Sequence, residues 1–261
     1  MTAGPDPAEI FERAASEGQR RLDQSALELV STGFIAGFTI VFGIIALGIV
    51  EAAFHQEFET LAKLAGAVAF GIGLVFLVIG KAELFSENFF DPIAAVIKAD
   101  GWHIGRLLRL WSVTVVLNLV GGGIFVAILT LEGALPRGTT DVLVRFSEEV
   151  VRRSQTVEFV RAFTGGALVA LLSFLLQAVD QVSSRIFLSY AVGVMLAMGP
   201  FDHVVVTILH LLFGVFLGAN IGGLAIAETT AIVTAGNIVG GIGLVTLTHI
   251  GQAIGAGKSI N

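Results

Sequence analysis

Charged residues in this chain fall between long apolar runs. Residues 29–50 lie between Glu28 and Glu51, 64–80 between Lys63 and Lys81, 110–131 between Arg109 and Glu132, and 162–179 between Arg161 and Asp180. Residues 186–201, 203–227 and 229–257 complete the series. A helix needs about 20 mainly apolar residues to cross a bilayer. The run ending at Phe201 is short and stops at Gly199-Pro200, and the next begins with no loop between them. The two read as one region broken in the middle, which predicts six spanning segments. The run ending at Gly80 behaves similarly. It meets a polar patch of Lys81, Glu83, Ser86, Glu87 and Asn88, then Phe89-Phe90, Asp91-Pro92 and a short apolar tail to Ile97. Proline blocks the helical ladder and biases the residue before it away from helix. Segments two and five are therefore expected to be broken helices. Such irregular backbone survives at membrane depth only where protein or a watery cavity satisfies it.

The two halves echo each other. Asn118-Leu119-Val120-Gly121-Gly122 recurs as Asn237-Ile238-Val239-Gly240-Gly241, an offset of 119 residues. Gly80 and Gly199 share that offset, as do Glu83 and Asp202. Three segments per half is an odd number, so the halves should insert in opposite directions. Paired interrupted segments in an inverted repeat point to a transport site. The expected organisation is an N-terminal amphipathic segment over 1–27 and a transmembrane domain over 28–257. Within that domain the halves cover 28–131 and 159–257, joined by an amphipathic surface helix over 139–158. Pro7 suits the start of a helix in the N-terminal segment. Glycines such as Gly33/Gly37, Gly165/Gly166 and Gly214/Gly218 would let helices approach closely.

Composition supports the membrane assignment. Of 261 residues 55% are hydrophobic and only 14% charged, and the mean hydropathy is +0.88. A soluble domain carries about 25% charged residues. The net charge of −6 argues against a nucleic-acid partner. Without cysteine there is neither a disulfide framework nor a thiolate ligand or nucleophile. The first 28 residues hold six acids and three arginines, so no signal peptide is expected. With both termini inside, eight basic residues, Lys258 among them, face six across the membrane, a small margin under the positive-inside rule.

His203 is the leading chemical candidate, because an ionisable residue beside a break inside a span is costly and imidazole changes charge near neutral pH. The alternative is a helix-end histidine bonded to a freed carbonyl. Glu83 and Asp202 would cap the resumed helices by accepting backbone N–H bonds. Ser86, Glu87 and Asn88 would line a pore mouth or satisfy loop backbone. His210 shares a helix face with His203, and His249 lies in the last segment. Their spacing matches no metal signature, so neither metal nor cofactor is expected. His55 and His103 fall in loops. No phosphate-binding, nucleophile-elbow or dinucleotide motif is present, and no nucleophile is paired with a base, so enzymatic activity is not expected.

Several of these motifs resemble those of the formate/nitrite transporters. Phe70-Gly71-Ile72-Gly73-Leu74 and Gly80-Lys81-Ala82-Glu83-Leu84-Phe85-Ser86-Glu87-Asn88 are similar to that family's second-helix signature, with Ser86 where threonine is usual. Gly199-Pro200-Phe201-Asp202-His203 resembles its fifth-helix break. Trp111 through Asn118 to Gly122, and 236–241, resemble its third and sixth helices. The resemblance spans about residues 28 to 256. It implies an all-α, aquaporin-like fold of six transmembrane helices, assembled as a homopentamer in a bacterial inner membrane. It implies passage of small monovalent anions or their acids, such as formate or nitrite, with protons as possible co-substrates. His203 is then the central pore histidine, Ser86 its hydroxyl partner, and Phe70, Leu74, Phe85 and Leu196 the constrictions. Glu83, Asn88, Pro200 and Asp202 mark the breaks. The chain departs from the family at Thr207, where asparagine is usual, at the apolar Ala170, and at Ser154, where a lysine is expected and Arg153 is adjacent. A channel for a small neutral solute, and a membrane scaffold or sensor without flux, are the competing readings. An inert His203→Ala substitution would remove the case for this histidine.

Overall fold

The computed structural model describes residues 4–54, 59–99 and 104–256; His55, His103, Gly257 and Lys258 lie outside them. Helix α1, Pro7–Leu22, begins at Pro7 behind a capping box. The Asp6 carboxylate accepts the Glu9 amide, and the Glu9 carboxylate accepts that of Asp6. Then follow α2, Ala26–Phe54, and α3, Glu59–Ile79. A 3₁₀ turn over Phe85–Asn88 leads into α4, Asp91–Lys98. Helix α5, Ile104–Leu129, precedes α6, Thr139–Val151, and α7, Gln155–Gln177. The short helices α8, Val182–Met198, and α9, Val204–Phe216, come next. Helix α10, Gly223–Ile238, passes through a π-helical segment, Val239–Thr246, into α11, Leu247–Gly255. Five described helices are long and apolar enough to cross a membrane: α2, α3, α5, α7 and the continuous Gly223–Gly255. Helices α8 and α9 are each shorter and are separated by non-helical residues 199–203, where the sequence places a break.

The first interruption is closed by a turn that normally requires glycine. Lys81 has a φ of 52°. Its amide donates to Val78 O, and the Ala82 amide reaches back to Leu77 O. These are the two bonds of a Schellman motif, with lysine at the left-handed position.

The acidic residues do not cap the resumed helices as the sequence leads one to expect. Asn118 and Asn237 satisfy the broken backbone instead. Asn118 Oδ1 accepts the Phe85 amide at 3.1 Å, and its Nδ2 donates to Gly33 O and Glu83 O at 2.8 and 2.9 Å. Asn237 Oδ1 accepts the Val204 amide at 2.9 Å, and its Nδ2 donates to Ala162 O and Asp202 O at 2.7 and 2.8 Å. Phe85 and Val204 keep the offset of 119 residues. The backbone pairing Glu83 N to Thr32 O likewise recurs as Asp202 N to Arg161 O. These bonds need close helix approach. A Cβ on Gly37 would lie 2.0 Å from Asn118 O, and one on Gly166 2.2 Å from Asn237 O. The duplication read from the sequence is therefore also a duplication of hydrogen bonds.

The linking helix differs from expectation in extent and position. It ends at Val151, and Ser154 opens α7 at Gln155, so the expected single helix over 139–158 is two helices with a corner between. Apolar periodicity continues through both, which hides the corner in the sequence. Nor does α6 simply lie on a surface. Val142, Leu143, Ser147 and Val150 are buried, and Ser147 sits where any side chain at Gly214 of α9 would collide with it.

Asn118→Leu or Asn237→Leu should each cost about 3 kcal/mol, because each strands one buried amide and one carbonyl of the break. Thermal unfolding in detergent checks this, and similar losses from both substitutions are expected from the matching bonds.

Candidate functional site

The second break builds a small site. His203 is the last residue before α9, and its ring is buried with neither nitrogen hydrogen-bonded among the described residues. It lines a cavity of about 40 Å³ with Phe70 of α3, Leu196 and Ala197 of α8, and Val206, Thr207 and His210 of α9. Phe146 of α6, Arg161 of α7 and Leu47 of α2 complete much of the wall. A space of this size holds a few waters or one very small solute. Thus five expected site residues, Phe70, Leu196, Asp202, His203 and Thr207, meet around one cavity. Leu74 and Phe85 are buried in the same core but do not line it.

Ser86 lies in the 3₁₀ turn, fully buried, with its hydroxyl unpartnered. The hydrogen bond to His203 that the resemblance implies is therefore not made here. Its loop is nevertheless held firmly. Trp111 Nε1 donates to Asn88 O at 2.8 Å, and Ser173 Oγ donates to Glu87 O at 3.0 Å. Arg21 of α1 donates to Glu87 O and to Asn88 Oδ1 at 3.2 and 3.0 Å.

Asp202 and Glu83 both turn to arginines. Arg153 binds Asp202 at 2.7 Å, and Arg161 Nε spans both its carboxylate oxygens at 3.1 and 3.2 Å. Glu83 faces Arg20 at 3.3 Å, Arg21 at 3.6 Å and Gln24 at 3.1 Å. Side chains longer than a cap requires reach these charges, which leaves the capping to the asparagines. Pro200 sits within the second break, and Asn88 closes the 3₁₀ turn.

Two larger cavities lie beside the two breaks. One, of about 600 Å³, shares Leu47, Phe146, Arg161, Ala197 and Gly199 with the small cavity. Lys63, Arg145, Arg153 and Arg161 line it against only Glu51 and Glu149, so it is a basic mouth. The other, of about 470 Å³, lies beside the first break. There Arg20, Arg21, Lys81 and Arg185 meet Glu17, Glu83, Glu87, Asp91 and Asp180, so cations do not prevail. The two mouths are electrostatically unlike, which the sequence did not foretell.

The sequence reading also missed Phe146 and Arg161. Phe146 was hidden in a helix read as peripheral, and Arg161 was read only as the edge of an apolar run. His249 packs away from the cavity, against Phe174 at 4.0 Å. Among the described residues no group of three or more histidine or acidic side chains is arranged to hold a metal ion.

Several long apolar helices packed around a buried, histidine-bearing cavity with charged surroundings are the features of a multi-pass membrane transport protein. A family profile described as Formate/nitrite transporter matches residues 8–251, and the chain belongs to that family. It is 31% identical over 238 residues to a protein named Probable formate transporter of Methanothermobacter thermautotrophicus, covering 82% of this chain and 84% of the relative. It is 25% identical over 235 residues to Inner membrane protein YfdC of Escherichia coli (strain K12), covering 89% and 74%. Among solved structures, an FNT family ion channel superposes with a TM-score of 0.80 at 18% identity, covering 93% of this chain and 98% of the other. A structure titled Pentameric formate channel with formate bound gives 0.71 at 20% identity, covering 88% and 96%. The all-helical channel fold expected from the sequence is therefore the observed one.

The α1 clasp gives a pH prediction. Burial raises the proton affinity of Glu17, but hydrogen bonds and charge from Arg20 and Arg21 outweigh it and hold the carboxyl at about 2. A depressed folded value means full stabilisation above the ordinary glutamate range near 4.5 and its loss as pH falls towards about 2. Hydrogen exchange in α1 should rise across that window, and Glu17→Gln should remove part of the rise.

Proposed function

We propose that this chain conducts small monovalent anions or their conjugate acids, of the formate and nitrite kind, through a passage centred on His203. The carrying observation is a buried imidazole with two unpartnered nitrogens in a cavity otherwise walled largely by apolar side chains. An isolated ion between such walls loses hydration at large cost, whereas its neutral acid loses little. An anion entering through the basic mouth meets Arg153 and Arg161, then the N-terminal end of α9, where the helix dipole favours negative charge. As water is stripped away the anion's proton affinity rises. His203 then donates a proton or a hydrogen bond, and the solute moves on as the less costly species. Phe70 and Leu196 form the barrier on the side of the basic mouth, with Leu74 and Phe85 on the side of the first break. Ser86, whose hydroxyl has no partner among the described residues, orients His203 when the loop and α9 draw together. Thr207 offers a hydroxyl where the family usually has an amide.

The exposed apolar faces of α2, α3 and α5 suit lipid and neighbouring copies, and the solved relative titled as pentameric supports a homopentamer here. By the small margin of basic residues, the termini and the cavity beside the first break face the cytoplasm of an inner membrane.

Formate uptake into proteoliposomes at two external pH values tests the function. Flux that rises as pH falls is expected. His203→Ala should lower it at least about tenfold, the equivalent of one lost hydrogen bond to a charged group. Wild-type protein that carries water or glycerol but not formate would overturn the reading in favour of a neutral-solute channel.

A further inference from the structure

His210 lies seven residues beyond His203 and lines the same cavity. Its Nδ1 is 2.9 Å from Val206 O, four residues earlier. A carbonyl oxygen can only accept, so Nδ1 carries the hydrogen. Nε2 is left buried and without a hydrogen-bond partner among the described residues. The ring stacks on Phe146 with centroids 4.0 Å apart and planes at 26°. An aromatic face favours imidazolium as well as imidazole, so the stack tolerates both protonation states. Phe146 lines both the small cavity and the basic mouth, which places His210 on the side of the cavity towards that mouth.

The charges around His210 are largely committed to each other. From the break, Asp202 is held by Arg153 of the α6–α7 corner and Arg161 of α7. From α2, Glu51 is bound by Arg145 of α6 at 2.8 Å. Glu149 of α6 lines the mouth, and His203 shares the cavity. His210 thus adds a second imidazole to the cavity lining, next to the wall shared with the basic mouth.

We propose that His210 is a second proton-exchanging group of the passage, acting between the basic mouth and His203; this rests on the anion or weak-acid reading above. In the protonated ring Nε2–H donates to the anion. The proton then moves from Nε2 to a carboxylate or nitrite oxygen, the N–H bond breaks as the O–H bond forms, and the neutral ring keeps its Nδ1–H bond to Val206. After the acid has left, hydronium from the mouth returns a proton to Nε2 and leaves as water. In the opposite direction the neutral ring accepts the acid's proton and releases the anion towards the arginines.

Formate uptake is measured from pH 5 to pH 8 for the wild type, His210→Phe and His210→Gln. Phenylalanine keeps an aromatic ring against Phe146 and removes the nitrogens; glutamine keeps hydrogen bonding and cannot titrate in this range. His210→Phe should reduce uptake roughly tenfold, comparable to losing one hydrogen bond to a charged group. His210→Gln should retain more flux but lose part of the pH dependence. Rate and pH profile unchanged in both variants would overturn the proposal while leaving the proposed function standing. No formate flux in the wild type would overturn both. A second readout does not depend on variant folding. With ¹⁵N-histidine-labelled wild-type protein, adding formate should shift two imidazole sets, whereas a shift confined to His203 would overturn the role of His210.

Discussion

A transmembrane helix that stops midway leaves amides and carbonyls without partners in a medium that offers none. Each would cost several kcal/mol if it stayed unsatisfied. Here two asparagines from neighbouring helices resolve that problem in the same way. Asn118 and Asn237 each accept one amide at the restart of the chain, donate to one carbonyl of the break, and donate to one carbonyl of a neighbouring helix. Everything chemically distinctive about the site depends on this. With the backbone satisfied by amides, Glu83 and Asp202 are free to bind arginines, and His203 has no hydrogen-bond partner among the described residues. The glycines at Gly37 and Gly166 are the steric condition for the same bonds, because a side chain there would occupy the space of the asparagine backbone.

The two breaks share this support but differ in what surrounds them. The second opens on a small cavity continuous in its lining with a basic mouth. The first is pinned by Trp111, Ser173 and Arg21 and faces a mouth where acids match or exceed bases. Arg21 joins the N-terminal helix to the loop that carries Ser86. Burial works against its charge, and Glu83, Asp91 and Glu17 outweigh that and keep it protonated. An anion passage with one basic mouth and one mixed mouth has a built-in electrostatic asymmetry. Duplication thus supplied a common scaffold, and the side chains outside the asparagine bonds made the two ends different.

Much of the fold was legible because a bilayer imposes a coarse rule, apolar length between charges. The interruptions were legible because proline, glycine and polar clusters have no other place in such runs, and the repeat because Asn118 and Asn237 stand at equal offsets. Partner choice was not legible. An acid beside a helix start reads as a cap, and only three-dimensional proximity shows Arg153 and Arg161 reaching Asp202 first. The corner at Ser154 was masked by apolar periodicity continuing through it, and Phe146 was misjudged with it. The break itself pointed to His203, and the resemblance added Phe70 and Leu196 and marked Thr207 as a departure. It did not reveal that Ser86 and His203 remain apart, since the hydrogen bond between them depends on how the loop sits against α9.

The central claim is that the cavity at the second break is where a small anion sheds water and meets imidazole. A structure determined in lipid nanodiscs with excess formate tests it most directly. The account predicts formate density between Phe70, Leu196 and His203, with an oxygen within hydrogen-bond reach of a His203 nitrogen. Formate confined to the arginines of the mouth, with the cavity empty at saturating concentration, would contradict it.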